Sequence, residues 1–159
     1  MRGMDDLRSS AMERAIERSP SVPRSAFPRP KYSDKTSNGL TKCIVDFLRI
    51  KGWQAERISV EGRVLDNRKT YTDIIGRSKT IGSVRRIKSS SQLGSADISA
   101  TIYGKSVKIE VKIGRDTQSD KQKEYQDQIV RSGGIYLIAR DFQGFFNWYQ
   151  DFWKGGANG

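Results

Sequence analysis

The chain has 159 residues, with 29 Lys or Arg against 18 Asp or Glu, a formal net charge of +11 and no histidine. That length suits one domain with a real core and is short for two, and the charge favours polyanions, nucleic acid before acidic membrane. Without imidazole, histidine-based general base, nucleophile or zinc-ligand chemistry is excluded. No run of about 18 apolar residues is present, so no membrane span is expected. The start has no apolar secretory segment and the single cysteine, Cys43, excludes a disulfide within the chain, so a cytoplasmic protein is expected.

Residues 1–36 form a basic arm with eight basic and five acidic groups. Within it, 5–18 suits a short helix with a thin stripe of Leu7, Ala11, Ala15 and Ile16. All four prolines follow between Pro20 and Pro30, which reads as an extended linker. Such an arm is expected to order only on a partner. Regular structure begins at Asn38, with Ser37 or Asn38 as cap, Leu40, Ile44, Phe47 and Leu48 facing a core, and Gly52 as terminator. Trp53–Val60 reads as a strand. Residues 62–94 form a basic insertion with apolar islands at Tyr71–Ile75 and Ile81–Ile87, expected as a strand or two bounded by mobile loops.

The next stretch is a hairpin. Ile98, Ala100 and Ile102 share one face of its first arm, and Val107, Ile109, Val111 and Ile113 one face of its second. A type II′ turn at Gly104-Lys105 would set Ile102 opposite Val107, Ala100 opposite Ile109 and Ile98 opposite Val111. It would also set Asp97 opposite Lys112, with Glu110 a diagonal step away, about 7–8 Å between backbones. Two carboxylates converging beside a lysine suit a hard divalent cation and a positioned water. The alternative is that Lys108, Glu110 and Lys112 are simply the solvated side of a half-exposed strand.

A helix over Ser119–Ser132 follows, stopped by Gly133-Gly134. Ile135–Ala139 is an apolar run suited to a buried strand reached by a crossover. Phe142–Trp153 holds seven of the fifteen aromatic residues. Phe145, Trp148 or Tyr149, and Phe152 make a helical stripe for core packing, and any exposed remainder would point to a homodimer. The order helix, strands, hairpin, helix, strand, helix predicts an α/β sandwich around a mixed sheet.

Asp97, twelve residues, then Glu110-Val111-Lys112 resembles the signature of the PD-(D/E)XK nuclease superfamily. The likeness extends over Gly94-Ser-Ala-Asp97-Ile, Ile109-Glu110-Val-Lys112, Ser119-Asp-Lys-Gln122 and Gly133-Gly134-Ile-Tyr-Leu-Ile. It is nearest the small virus-type and mobile-element (VRR-NUC-like) and Holliday-junction-resolvase-like members. The resemblance implies a restriction-endonuclease-like αβββαβ core with a mixed central sheet flanked by helices, in residues 37–159. It further implies Asp97, Glu110 and the Val111 carbonyl as metal ligands for Mg²⁺, which Mn²⁺ can replace. Lys112 would then orient or deprotonate the attacking water, and Gln122 would join the site. Gln122 has a second reading, since Ser119-x-x-Gln122 is a capping box. One departure stands out: many relatives carry a glutamate near the start of the first helix, where this chain has Ser37-Asn38-Gly39-Leu40. Asp46 and Glu56 are the candidate substitutes, and one metal is expected rather than two.

Arg63, Arg68, Lys69, Arg77, Lys79, Arg85, Arg86 and Lys88 would track phosphates, or else belong to a solvated loop. No base-reading motif is recognisable, which favours recognition of structure over sequence. The combined expectation is a Mg²⁺-dependent DNA endonuclease of a phage or mobile element in a bacterial cytoplasm. The alternative is a catalytically inert basic DNA-binding accessory protein. A nuclease of the same fold acting on RNA is a third reading.

Overall fold

The computed structural model describes residues 2–58, 63–87 and 92–156, with backbone alone at Arg63, Ile87 and Trp153. In chain order the elements are α1 (Arg2–Arg18), α2 (Ser37–Ile50), β1 (Gln54–Arg57), β2 (Arg63–Asp66), β3 (Lys69–Thr72), β4 (Ser78–Ile81), β5 (Val84–Ile87), β6 (Ile98–Ile102), β7 (Lys105–Val111), α3 (Asp120–Arg131), β8 (Ile135–Ala139) and α4 (Phe142–Gly156). They divide into two compact units, Met1–Ile58 with Gly94–Gly159, and Ser59–Leu93.

The first unit is an α/β fold around a four-stranded sheet in the order β1-β6-β7-β8. β1, β6 and β7 form an antiparallel meander, and β8 returns parallel to β7 through α3. Strand alternation buries Ile98, Ala100, Ile102, Val107, Ile109 and Val111 in one core with α2 and α4. Phe47 of α2 is its hub, meeting Phe142, Phe145, Phe146 and Tyr149 of α4 edge-on at 5.0–5.9 Å. Each such pair contributes about 0.5–1.5 kcal/mol beyond area burial. The predicted helical stripe on α4 therefore lies inside the fold, with Phe142 and Phe146 added to it. The cap of α2 is Thr36, one residue before the predicted choices, accepting from the Gly39 amide at 3.1 Å.

The helix expected over 5–18 runs from Arg2 to Arg18, and it packs on α2 and α4 of the same chain, where a partner was expected to order it. Leu7 explains the difference: it is fully buried in the shared core, so a thin apolar stripe suffices once neighbouring helices complete it. The proline-bearing segment after it is mostly exposed and irregular apart from a short 3-10 turn at Arg24–Ala26.

The hairpin register differs from the prediction by two positions. Ile102 lies opposite Lys105, Ala100 opposite Val107 and Ile98 opposite Ile109. The turn residues are Tyr103 and Gly104, with φ of 50° and 73°. Positive φ at both central residues is the type I′ pattern, whose twist matches that of the flanking strands. Tyr103 is held in this unusual conformation by packing on Trp53, with ring centroids 4.4 Å apart. A two-position shift preserves strand faces, so the core assignment survives, but Asp97 moves from opposite Lys112 to opposite Glu110.

In the second unit, β2 pairs antiparallel with β5 and β3 with β4. Both ladders share one register, and the Asn67 amide donates to Ser83 O at 3.1 Å between them. The expected one or two strands with loops are thus one long two-stranded ribbon, turning at residues 73–77. Asp73 Oδ1 ties that turn by accepting from the Ile75 and Arg77 amides.

Candidate active site

On the side of β7 away from the aromatic core lie Lys108, Glu110 and Lys112. The solvated-strand alternative requires them to meet water. Glu110 is instead 2% exposed and Lys112 6%. α3 brings a polar side chain to them, since the Gln122 side chain touches both.

Burying an ion pair costs desolvation that only good geometry and further hydrogen bonds offset. The cluster supplies them. Lys112 Nζ sits 3.2 Å from Glu110 Oε1, 3.4 Å from Asp116 Oδ2 and 3.1 Å from Gln122 Oε1. Gln122 Nε2 donates to Glu110 Oε1, and the Tyr136 hydroxyl donates to Glu110 Oε2 at 3.4 Å. Asp97 Oδ2 accepts from the Val111 amide at 2.9 Å, which pins its carboxylate beside Glu110. Burial, and then the charge of Asp97, push the Glu110 carboxyl above the usual carboxylate range, with Lys112 and Tyr136 opposing the shift.

The two readings of Gln122 hold together. Its Oε1 accepts from the Ser119 amide at 2.9 Å while Ser119 Oγ accepts from the Gln122 amide at 3.3 Å, completing the capping box. The same side chain reaches Lys112 and Glu110, so the helix cap fixes it against the buried pair. Gly94 permits the close passage of the chain before β6: a Cβ there would lie 2.3 Å from Lys121 O in the first turn of α3.

Sequence reasoning missed Tyr136. Parallel pairing sets it beside Lys108 and sets Ile138 beside Glu110. Burial, and then the Glu110 charge, raise its hydroxyl well above the ordinary tyrosine range. The available signal was a hydroxyl inside an aliphatic run, because a half-buried tyrosine needs a partner.

Of the candidate substitutes for the missing first-helix acid, Asp46 pairs with Lys42 and accepts from the Tyr32 hydroxyl at 3.1 Å. Glu56 lies opposite Ser99, which accepts from Lys108 Nζ at 2.6 Å. Neither touches the Glu110–Lys112 pair among the described residues. No group of three or more Cys, Asp or Glu side chains among those residues is placed to hold a metal ion. The carboxylates nearest one another at the cluster are Asp97 and Glu110, with Asp116 on the far side of Lys112 as a third, more exposed acid. Asp97 and Glu110 are compatible with one Mg²⁺, an ion that keeps several waters and uses one or two carboxylates.

The predicted phosphate-tracking residues belong to the second unit. Lys69, Arg77, Lys79, Arg85 and Arg86 are exposed on the ribbon. Arg68 is engaged by Asp66 at 2.7 Å, and that pairing holds the Asp66 carboxyl below its usual range. Arg63 lies on β2, described by its backbone alone, and Lys88 falls outside the described residues.

No family model matches the chain, and no curated protein sequence matches it. The α/β fold and the cluster's own chemistry therefore carry the functional reading.

Proposed function

We propose that the protein is a divalent-metal-dependent nuclease that hydrolyses phosphodiester bonds in DNA, with Asp97, Glu110, Lys112 and Gln122 at its active site. The observation that supports this most is the burial of Glu110 with Lys112, in the order and strand setting that resembles the PD-(D/E)XK pattern. A solvated strand face has no need of such a pair, and a purely structural one is often replaceable by apolar residues without loss.

Asp97, Glu110 and the Val111 carbonyl would hold Mg²⁺. When bound, the ion would offset phosphate charge and make water easier to deprotonate. The remaining work belongs to the chain. Lys112 presents an ammonium held in place by Glu110, Gln122 and Asp116, suited to orienting a water and to stabilising charge that builds on a phosphate. Gln122 and Tyr136 fix the Glu110 carboxylate from opposite oxygens.

The test is incubation of the purified protein with Mg²⁺ or Mn²⁺ and labelled single-stranded, duplex, flap and four-way-junction DNA. Cleavage of at least one substrate is expected, falling about 100-fold or more in Lys112→Ala. If no substrate is cut, or if Lys112→Ala cuts as well as the unaltered protein, the proposal fails. The second reading, an inert DNA-binding accessory protein, is favoured by the concentration of positive charge on the ribbon rather than at the carboxylates. It predicts binding without cleavage.

A further inference from the structure

Nine large apolar side chains are exposed among the described residues, and six of them lie on the ribbon: Val64, Tyr71, Ile74, Ile75, Ile81 and Val84. The two at its turn are the barest, Ile74 at 106% and Ile75 at 73% exposure. A two-stranded ribbon is marginally stable alone in water, so exposed apolar groups on it point to a surface that something covers.

Charge identifies the occupant. Residues 63–87 carry seven basic and two acidic groups. Across the ladder, cations face apolar or neutral partners: Lys79 lies opposite Tyr71, Lys69 opposite Ile81 and Arg86 opposite Val64. Lys69, Arg77, Lys79, Arg85 and Arg86 form no ion pair among the described residues. Their charge is left for an external polyanion. A ribbon of this extent, roughly 33 Å from Arg63 to the turn, has the cross-section that a DNA groove admits. Apolar wedges between base steps are how basic arms kink a duplex.

We infer that the ribbon is a DNA arm, which lies in a groove of duplex DNA with its cations on the phosphates and Ile74 and Ile75 wedged between base steps. The choice of DNA rests on the proposed nuclease reading, whereas the arm's geometry does not.

The test uses the full chain without divalent metal, so that cleavage does not intrude, and a duplex carrying a dye at each end. Anisotropy gives affinity across a salt series, and energy transfer between the dyes gives bending. The unaltered protein is expected to bind and to bring the duplex ends closer, consistent with a kink of about 20–90°. Ile74→Ser with Ile75→Ser should lose the bend while keeping the salt dependence. Lys79→Gln with Arg85→Gln and Arg86→Gln should lower the slope of log affinity on log salt by about 0.9 for each phosphate no longer neutralised. An unchanged bend in the tip variant, an unchanged slope in the charge variant, or tighter binding to phosphatidylserine vesicles than to DNA would each overturn the arm. Cleavage measured separately keeps the two proposals distinct. Bending without cleavage removes the active site and leaves the arm, and cleavage without ribbon-dependent bending does the reverse.

Discussion

Glu110 and Lys112 at the end of β7, and the cations of the ribbon, are charged side chains in opposite circumstances. At the Glu110–Lys112 cluster of the first unit charge is buried: carboxylate, ammonium, amide and hydroxyl satisfy one another beside α3, and the aromatic core lies across the sheet. In the second unit Lys69, Arg77, Lys79, Arg85 and Arg86, and likewise Ile74, Ile75 and Ile81, meet water. Stability and function are therefore placed differently in each unit. Substitutions in the packed unit should act on folding or on chemistry according to whether they open the core or alter the cluster, whereas those in the ribbon should act on binding with little effect on folding.

Substitutions can probe that division at several points. The heaviest loss should come from Phe47→Ala, which removes the ring at the centre of four edge-on pairs. It should cost about 3–5 kcal/mol in denaturant unfolding. A loss below about 1 kcal/mol would mean that α4 is not docked on α2 through this ring. Next is Lys112→Met, which leaves Glu110 buried without its cation. The expected loss is about 3 kcal/mol, much of it recovered when Glu110→Leu is added. A double variant no more stable than the single one would deny that the two side chains act as a pair.

Gln122→Ala should be smaller. It removes a supporting hydrogen bond to both members of the pair, so cleavage should fall about 10–100-fold, with only about 1 kcal/mol lost from the cap. Equal losses of activity and folded fraction would reduce Gln122 to its capping role. Smallest of all, Arg85→Gln with Arg86→Gln should change stability by no more than about 0.5 kcal/mol. A melting shift of many degrees would show that the ribbon's cations serve the fold.

How far these units were legible in the sequence follows from which physical signals are local. The faces of β6 and β7 follow from alternation alone, so Ile98, Ala100, Val107 and Ile109 were readable. Their register was not, because it depends on Tyr103 accepting positive φ under the packing of Trp53. Glu110 and Lys112 stood out by spacing, but their burial depends on α3 crossing over them, a long-range fact. Tyr136 reaches Glu110 only through parallel pairing of strands separated by a helix. In α1, Leu7 is a weak signal that two other helices complete. The ribbon was obscured because Val64, Tyr71, Ile74, Ile75, Ile81 and Val84 are exposed, which defeats any pattern based on burial.

The decisive comparison sets Glu110→Gln beside the ribbon variant Lys79→Gln, Arg85→Gln, Arg86→Gln, each assayed for DNA binding and for cleavage with Mg²⁺. Glu110→Gln should bind DNA as the unaltered protein does and cut nothing. The ribbon variant should bind weakly, yet still cut when DNA is raised to saturation. If Glu110→Gln cuts as fast as the unaltered protein, the buried pair is not a catalytic centre, and hydrolysis has been assigned to the wrong residues.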